Sequence, residues 1–129
     1  MVTFHDSSTT VNMLPGLVRR TLATSQVLMI CEFTFEPGVT IPLHSHPHEQ
    51  VGYVVKGRVE MTIAGHTETL TAGDSYCAPS NVPHAALTLD ELVESRTRPA
   101  DLPRKRGLAP AGRHQELFEQ NLAWMDRIR

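Results

Sequence analysis

Signals of an unusual environment are scarce in this 129-residue chain. It has two cysteines, Cys31 and Cys77, too few for the disulfide framework of a small secreted domain. Both are expected to be buried thiols, the usual place of an unpaired cysteine. No apolar run reaches the roughly 18 residues of a membrane-crossing helix. The N-terminus shows no basic stretch leading into an apolar core, the mark of a secretory leader. A cytoplasmic setting and no membrane partner are therefore expected. Aromatics make up 5% of the chain and do not interleave with its arginines, so no nucleic-acid partner is expected. No helix-turn-helix segment is visible, which argues against a complete transcription factor.

What is present fits one domain with one hydrophobic core. The net charge is −2 but unevenly spread. Residues 1–95 hold four basic and ten acidic side chains, whereas residues 96–129 hold eight and four. A basic tail can meet an anionic partner. Without interleaved aromatics, the plainer reading is a solvated tail.

The most informative stretch is Gly38-Val39-Thr40-Ile41-Pro42-Leu43-His44-Ser45-His46-Pro47-His48-Glu49-Gln50, closed by Gly57. In an extended strand, residues i and i+2 share a face. His44 and His46 would then present two imidazoles to a single metal ion. Gln50 shares their parity if the strand stays regular. Pro47 lacks a ladder donor and favours a bend, so His48, Glu49 and Gln50 all remain candidates for the inward position.

A second cluster answers the first: Gly73-Asp74-Ser75-Tyr76-Cys77-Ala78-Pro79-Ser80-Asn81-Val82-Pro83-His84. The two read G-x5-H-x-H-x3-Q-x6-G and G-x5-P-x-N-x2-H, and together they resemble the two motifs of the cupin family. Gln50 stands where that family usually has a glutamate, and Asn81 where it has a glycine. Asn is enriched among non-glycine residues at positive φ, so the second change should cost the turn little. The resemblance spans about residues 20–95. It implies metal ligands His44, His46, Gln50 and His84, and it implies a homodimer.

The rest of the chain supports an all-β fold. Val27, Met29, Cys31, Phe33 and Phe35 alternate with Leu28, Ile30, Glu32, Thr34 and Glu36, a period of two with one apolar face. Further strands are expected over 39–46, 50–55, 59–63, 67–70, 75–78, 84–89 and 92–95. Pro37-Gly38, Lys56-Gly57, Ala64-Gly65 and Gly73-Asp74 mark turns. His66 falls at a hairpin tip and should face solvent. Short strands at this spacing argue a sandwich or barrel. The resemblance adds a conical barrel, the double-stranded β-helix or jelly roll, with one open mouth. Residues 1–20 read as an N-terminal arm, with His5 exposed or reaching the metal as a distant imidazole. The barrel is placed at 21–98, and a basic linker with a C-terminal helix at 99–129. In that helix Phe118, Leu122 and Met125 form one line, with Leu117, Trp124 and Ile128 beside it.

Imidazole nitrogens with one amide oxygen suit a divalent transition metal, Zn or Ni first, then Fe, Mn or Cu. Four neutral ligands would leave the ion its full +2 charge, which favours an anionic or enolate-like ligand. The stretch from His44 to Gly57 resembles the pectin-degradation cupins, which open unsaturated uronates to linear keto acids. It is equally similar to zinc-containing cupin polyketide cyclases. Both imply a Lewis-acid enzyme of lyase, isomerase or cyclase type acting on a small molecule. The uronate group follows its last histidine with an acid, an aromatic and an arginine. Here Glu94 can stand for the acid, Arg96 replaces the aromatic, and Ala100 falls at the arginine, with Arg98 a neighbouring guanidinium. Glu94, Arg96 and Arg98 are thus the catalytic candidates. Their plainer readings are an edge-strand surface carboxylate and a solvated basic face running on to Arg106. A metal-dependent dioxygenase and a non-catalytic ligand-binding barrel are the alternatives.

Overall fold

A computed structural model describes residues 1–100. Ten strands follow one another: β1 (Thr9–Leu14), β2 (Leu17–Thr24), β3 (Leu28–Phe35), β4 (Thr40–His44), β5 (Gln50–Lys56), β6 (Val59–Ile63), β7 (His66–Leu70), β8 (Ser75–Ala78), β9 (His84–Thr88) and β10 (Leu92–Pro99). They pair antiparallel into two sheets. One has the order β1-β2-β3-β10-β5-β8 and the other β4-β9-β6-β7. This is the all-β, two-sheet architecture expected. The expected C-terminal helix and linker lie outside the described residues. Among the described residues, no helix is long and apolar enough to cross a membrane.

The core forms between the sheets because strand parity sends alternate residues inward. Met29, Cys31, Phe33 and Phe35 from β3 meet Ile41, Val54, Val59, Met61, Ala86 and Leu92 there. Each large apolar side chain so buried contributes roughly 1.5–3 kcal/mol. The tight turn at Gly57 (φ +90°) brings its Cα against the Glu91 carbonyl, where a side chain would collide with backbone.

Several expectations need correction. Residues 9–14, read as part of an arm, form β1, which pairs with β2 and buries Met13. A short 3-10 turn, His5–Ser7, precedes it. The strand expected over 39–46 ends at His44, and Pro47-His48 forms the bend. The last strand does not stop at Ser95 but continues to Pro99, paired with β3 throughout. Cys31 is buried as expected, but Cys77 is exposed. In β8 the inward parity belongs to Tyr76 and Ala78, so Cys77 is turned out.

Candidate metal centre

Two loops and two strand ends bring the histidines together. His44 closes β4 and lies directly opposite His84, which opens β9. Edge position lets β4 carry Pro42. His46 sits in the following loop, tied to the second motif by the Asn81 N–H donating to its carbonyl at 2.8 Å. Asn81 does so at φ +62°, the left-handed conformation for which asparagine suits the turn. One ring nitrogen from each of His44, His46 and His84 lies within 4.8 Å of the others.

Tautomers follow from the backbone. The Nδ1 of His44 contacts the Pro42 carbonyl at 2.7 Å, that of His46 the His48 carbonyl at 2.8 Å, and that of His84 the Val82 carbonyl at 2.9 Å. A carbonyl can only accept, so each Nδ1 carries the proton and each neutral ring keeps its lone pair on Nε2. This is the outer hydrogen bond that orients a metal-ligating imidazole. Burial lowers the pKa of His46 to about 4; the His48 carbonyl opposes the shift, while His84, His44 and Arg98 add to it. Burial also lowers that of His84, with the Val82 carbonyl opposing and Arg96 assisting. The His84 Nε2 is buried without a hydrogen bond among the described residues. Rings with a lone pair on Nε2 and one nitrogen each within 4.8 Å of the others fit a divalent transition metal.

Of the residues after Pro47, His48 and Gln50 are buried and Glu49 is exposed. His48 stacks on His46, ring centroids 3.8 Å apart and planes parallel within 1°, and stands outside the three-histidine cluster. Gln50 lines the same small cavity as His44 and His84, together with Tyr76 and Arg96. Its amide N–H donates to Tyr76 Oη at 3.4 Å, leaving the amide oxygen as the atom able to ligate. His5 is a surface residue whose Nε2 meets Glu32 at 3.0 Å, and His66 is exposed.

The three catalytic candidates are not on the surface. Glu94, Arg96 and Arg98 are 0%, 6% and 3% exposed, which overturns the surface-carboxylate and solvated-face readings. Parity along the extended β10 sends all three inward. Arg96 Nε donates to Glu94 Oε1, and the guanidinium carbon lies 4.2 Å from the Phe33 ring centroid. Burial opposes the charge on Arg96, but the adjacent Glu94 outweighs it and keeps the guanidinium pKa raised. Tyr76 Oη donates to the same Glu94 oxygen at 3.2 Å. Glu94 Oε2 is buried with no hydrogen bond among the described residues.

Tyr76 and Gly52 went unnoticed in the sequence. They are register partners on β8 and β5, and a Cβ on residue 52 would overlap the Tyr76 ring. A glycine inside a strand is the one available signal, since it often marks such a close approach.

The cupin domain family profile matches residues 31–91. Over 77 residues the chain is 34% identical to the pectin degradation protein KdgF of Dickeya dadantii, covering 59% of this chain and 70% of that one. An RmlC-like cupin from Shewanella frigidimarina superposes with a TM-score of 0.72 at 31% identity, covering 76% of this chain and 88% of that one. The structure of KdgF from a Halomonas species superposes at 0.71 and 30% identity, covering 78% and 94%.

Proposed function

The chain belongs to the cupin family, and from that premise we propose that it is a metal-dependent Lewis-acid enzyme of lyase, isomerase or cyclase type. Its substrate is a small oxygenated molecule such as an unsaturated sugar acid or a polyketide. The observation that carries this reading is the three-imidazole cluster, each ring held in one tautomer by a backbone carbonyl. His44, His46 and His84 would hold the ion, Zn or Ni before Fe, Mn or Cu, with the Gln50 oxygen as fourth ligand. A bound divalent ion supplies Lewis-acid polarisation of a carbonyl or hydroxyl oxygen.

The protein's own groups then divide the work. Glu94 is the proton-transfer group. Arg96 and Tyr76 both hold Oε1, so Oε2 is the atom that exchanges a proton with substrate. Arg96 pairs with Glu94 and leaves its second oxygen for that exchange. Arg98, on the same inward row and close enough to lower the His46 pKa, meets a substrate carboxylate. The relative named for pectin degradation supports a uronate. A homodimer is proposed through the outer face of β5, where Val51, Tyr53 and Val55 are exposed.

Elemental analysis of the purified protein beside His46→Ala tests the reading. About one equivalent of Zn or Ni, lost in the variant, with turnover of an unsaturated uronate lost in Glu94→Gln, is expected. Stoichiometric Fe or Cu with oxygen uptake would replace it by a dioxygenase. A ligand bound but unchanged would replace it by a binding protein.

A further inference from the structure

We propose that Tyr76 is a positioning residue that joins the two halves of the site, orienting the Gln50 amide for the metal and fixing one oxygen of Glu94. The inference rests on the metal reading above and goes beyond it by naming what sets the fourth ligand.

The direction of the hydrogen-bond chain is dictated by its far end. Glu94 is paired with Arg96, so its Oε1 accepts and never donates. The phenol of Tyr76 has a single O–H, and it is given to that oxygen at 3.2 Å. What remains on Tyr76 Oη is acceptor capacity, and the group 3.4 Å away is the Gln50 amide nitrogen. An amide presents a donor at one end and an acceptor at the other. With the donor end held by Tyr76, the oxygen end is the one left for a cation. Without the phenolic oxygen the two ends have nearly the same shape, and among the described residues no other hydrogen bond to this amide discriminates between them. Half of its orientations would then offer N–H groups, which cannot ligate.

The fold makes room for this arrangement. Gly52 and Tyr76 are paired across β5 and β8, and the space of a side chain at residue 52 is occupied by the Tyr76 ring and hydroxyl. Gln50 lies two residues from Gly52 on the same inward face of β5. The missing Cβ therefore lets a large ring reach across its neighbour strand to the ligand beside it. Tyr76 is 9% exposed, so water competes little for its hydroxyl.

The test uses Co²⁺ as the probe, because its visible absorption reports the ligand set directly. Wild type, Tyr76→Phe, Gln50→Ala and the double variant are titrated with Co²⁺. Tyr76→Phe keeps the ring and removes one oxygen. It is expected to weaken Co²⁺ binding about tenfold, the scale of losing an outer hydrogen bond. Its spectrum should move toward that of Gln50→Ala. In the Gln50→Ala background the same change should do nothing further. An unchanged affinity and spectrum in Tyr76→Phe would overturn the inference, as would an equal loss in both backgrounds, which would mean that Tyr76 acts through the fold. Failure of the wild type itself to bind Co²⁺ would overturn the metal reading first, and this inference with it.

Discussion

Strands β3 and β10 run side by side in the six-stranded sheet and send alternate residues to the same interior. From β3 come Met29, Cys31, Phe33 and Phe35; from β10 come Leu92, Glu94, Arg96 and Arg98. Register sets them directly opposite: Phe35 with Leu92, Phe33 with Glu94, Cys31 with Arg96, Met29 with Arg98. One row is apolar and the other ends in three charges, yet all eight are buried. Parity therefore assigns the inside, and side-chain chemistry decides only what must compensate it. The β3 row needs nothing beyond close packing. The β10 row needs partners, and it has them: a carboxylate for Arg96, a phenol for Glu94, and the Phe33 face beneath the guanidinium. The apolar row anchors the sheet, while the charged row sends Arg96 to the wall of the histidine cavity.

The comparison can be broken most forcefully at its centre. Glu94→Ala leaves Arg96 buried without its carboxylate and is expected to cost about 3–5 kcal/mol. Phe33→Ala, on the opposing position, should cost a similar ~3–5 kcal/mol through a cavity instead. Urea unfolding at neutral pH measures both. The two losses separate on repair. Replacing the pair together, Glu94→Leu with Arg96→Met, should regain most of the stability, because a buried ion pair seldom outdoes apolar packing. A Glu94→Ala loss below about 1 kcal/mol would mean that water, not pairing, solvates the charged row.

A titration next separates the histidine cavity beside the charged row from the apolar row. Burial lowers the His46 pKa from 6.5 to about 4. The unfolded chain takes up its proton near 6.5, the metal-free folded chain only near 4. Between those values the unfolded state binds more protons, so stability falls as pH drops through that window and levels off below it. His84 is shifted in the same direction and adds to the fall. Urea midpoints of the metal-free protein at several pH values between 7.5 and 4 read the slope. His46→Asn should flatten it, whereas Phe33→Leu should lower all midpoints alike. A wild-type profile already flat across the window would show that His46 is not held neutral by the fold.

These two rows also mark how far the sequence was legible. The β3 strand shows in it because apolar and polar residues alternate. In β10 the same alternation reads Glu-Ser-Arg-Thr-Arg, polar on both faces, so a period of two carries no mark of which face is inside. The pattern consequently predicts a strand that stops at Ser95 and assigns its arginines to a basic tail. Residues 9–14 misled in the same way: Thr9, Thr10 and Asn12 are polar because β1 is an edge strand that buries Met13 alone. Cys77 was placed inside by residue type, and parity turned it out. The histidines were legible because ligand chemistry confines them to a few spacings. Tyr76 was not, since its importance depends on facing Gly52 across a strand pair whose register no local pattern declares.

The smallest expected effect involves no loss of stability, and it tests whether the rows open together. Cys31 lies on β3 opposite Arg96 and is fully buried, while Cys77 is exposed on the outer face of β8. A thiol reagent should therefore modify Cys77 quickly in the native protein and Cys31 only as the structure opens. If β3 and β10 part only in global unfolding, Cys31 should react in proportion to the unfolded population. Glu94→Ala and Phe33→Ala, matched in stability by choice of urea concentration, should then label Cys31 at the same rate. Faster labelling in Glu94→Ala would mean that the charged row opens on its own. The pairing of Glu94 with Arg96 would then hold a local seam closed beside the cavity, and β3 would be anchored independently of it. Labelling of Cys31 as fast as Cys77 in the wild type would sink the comparison, because the interior shared by the two strands would not be closed.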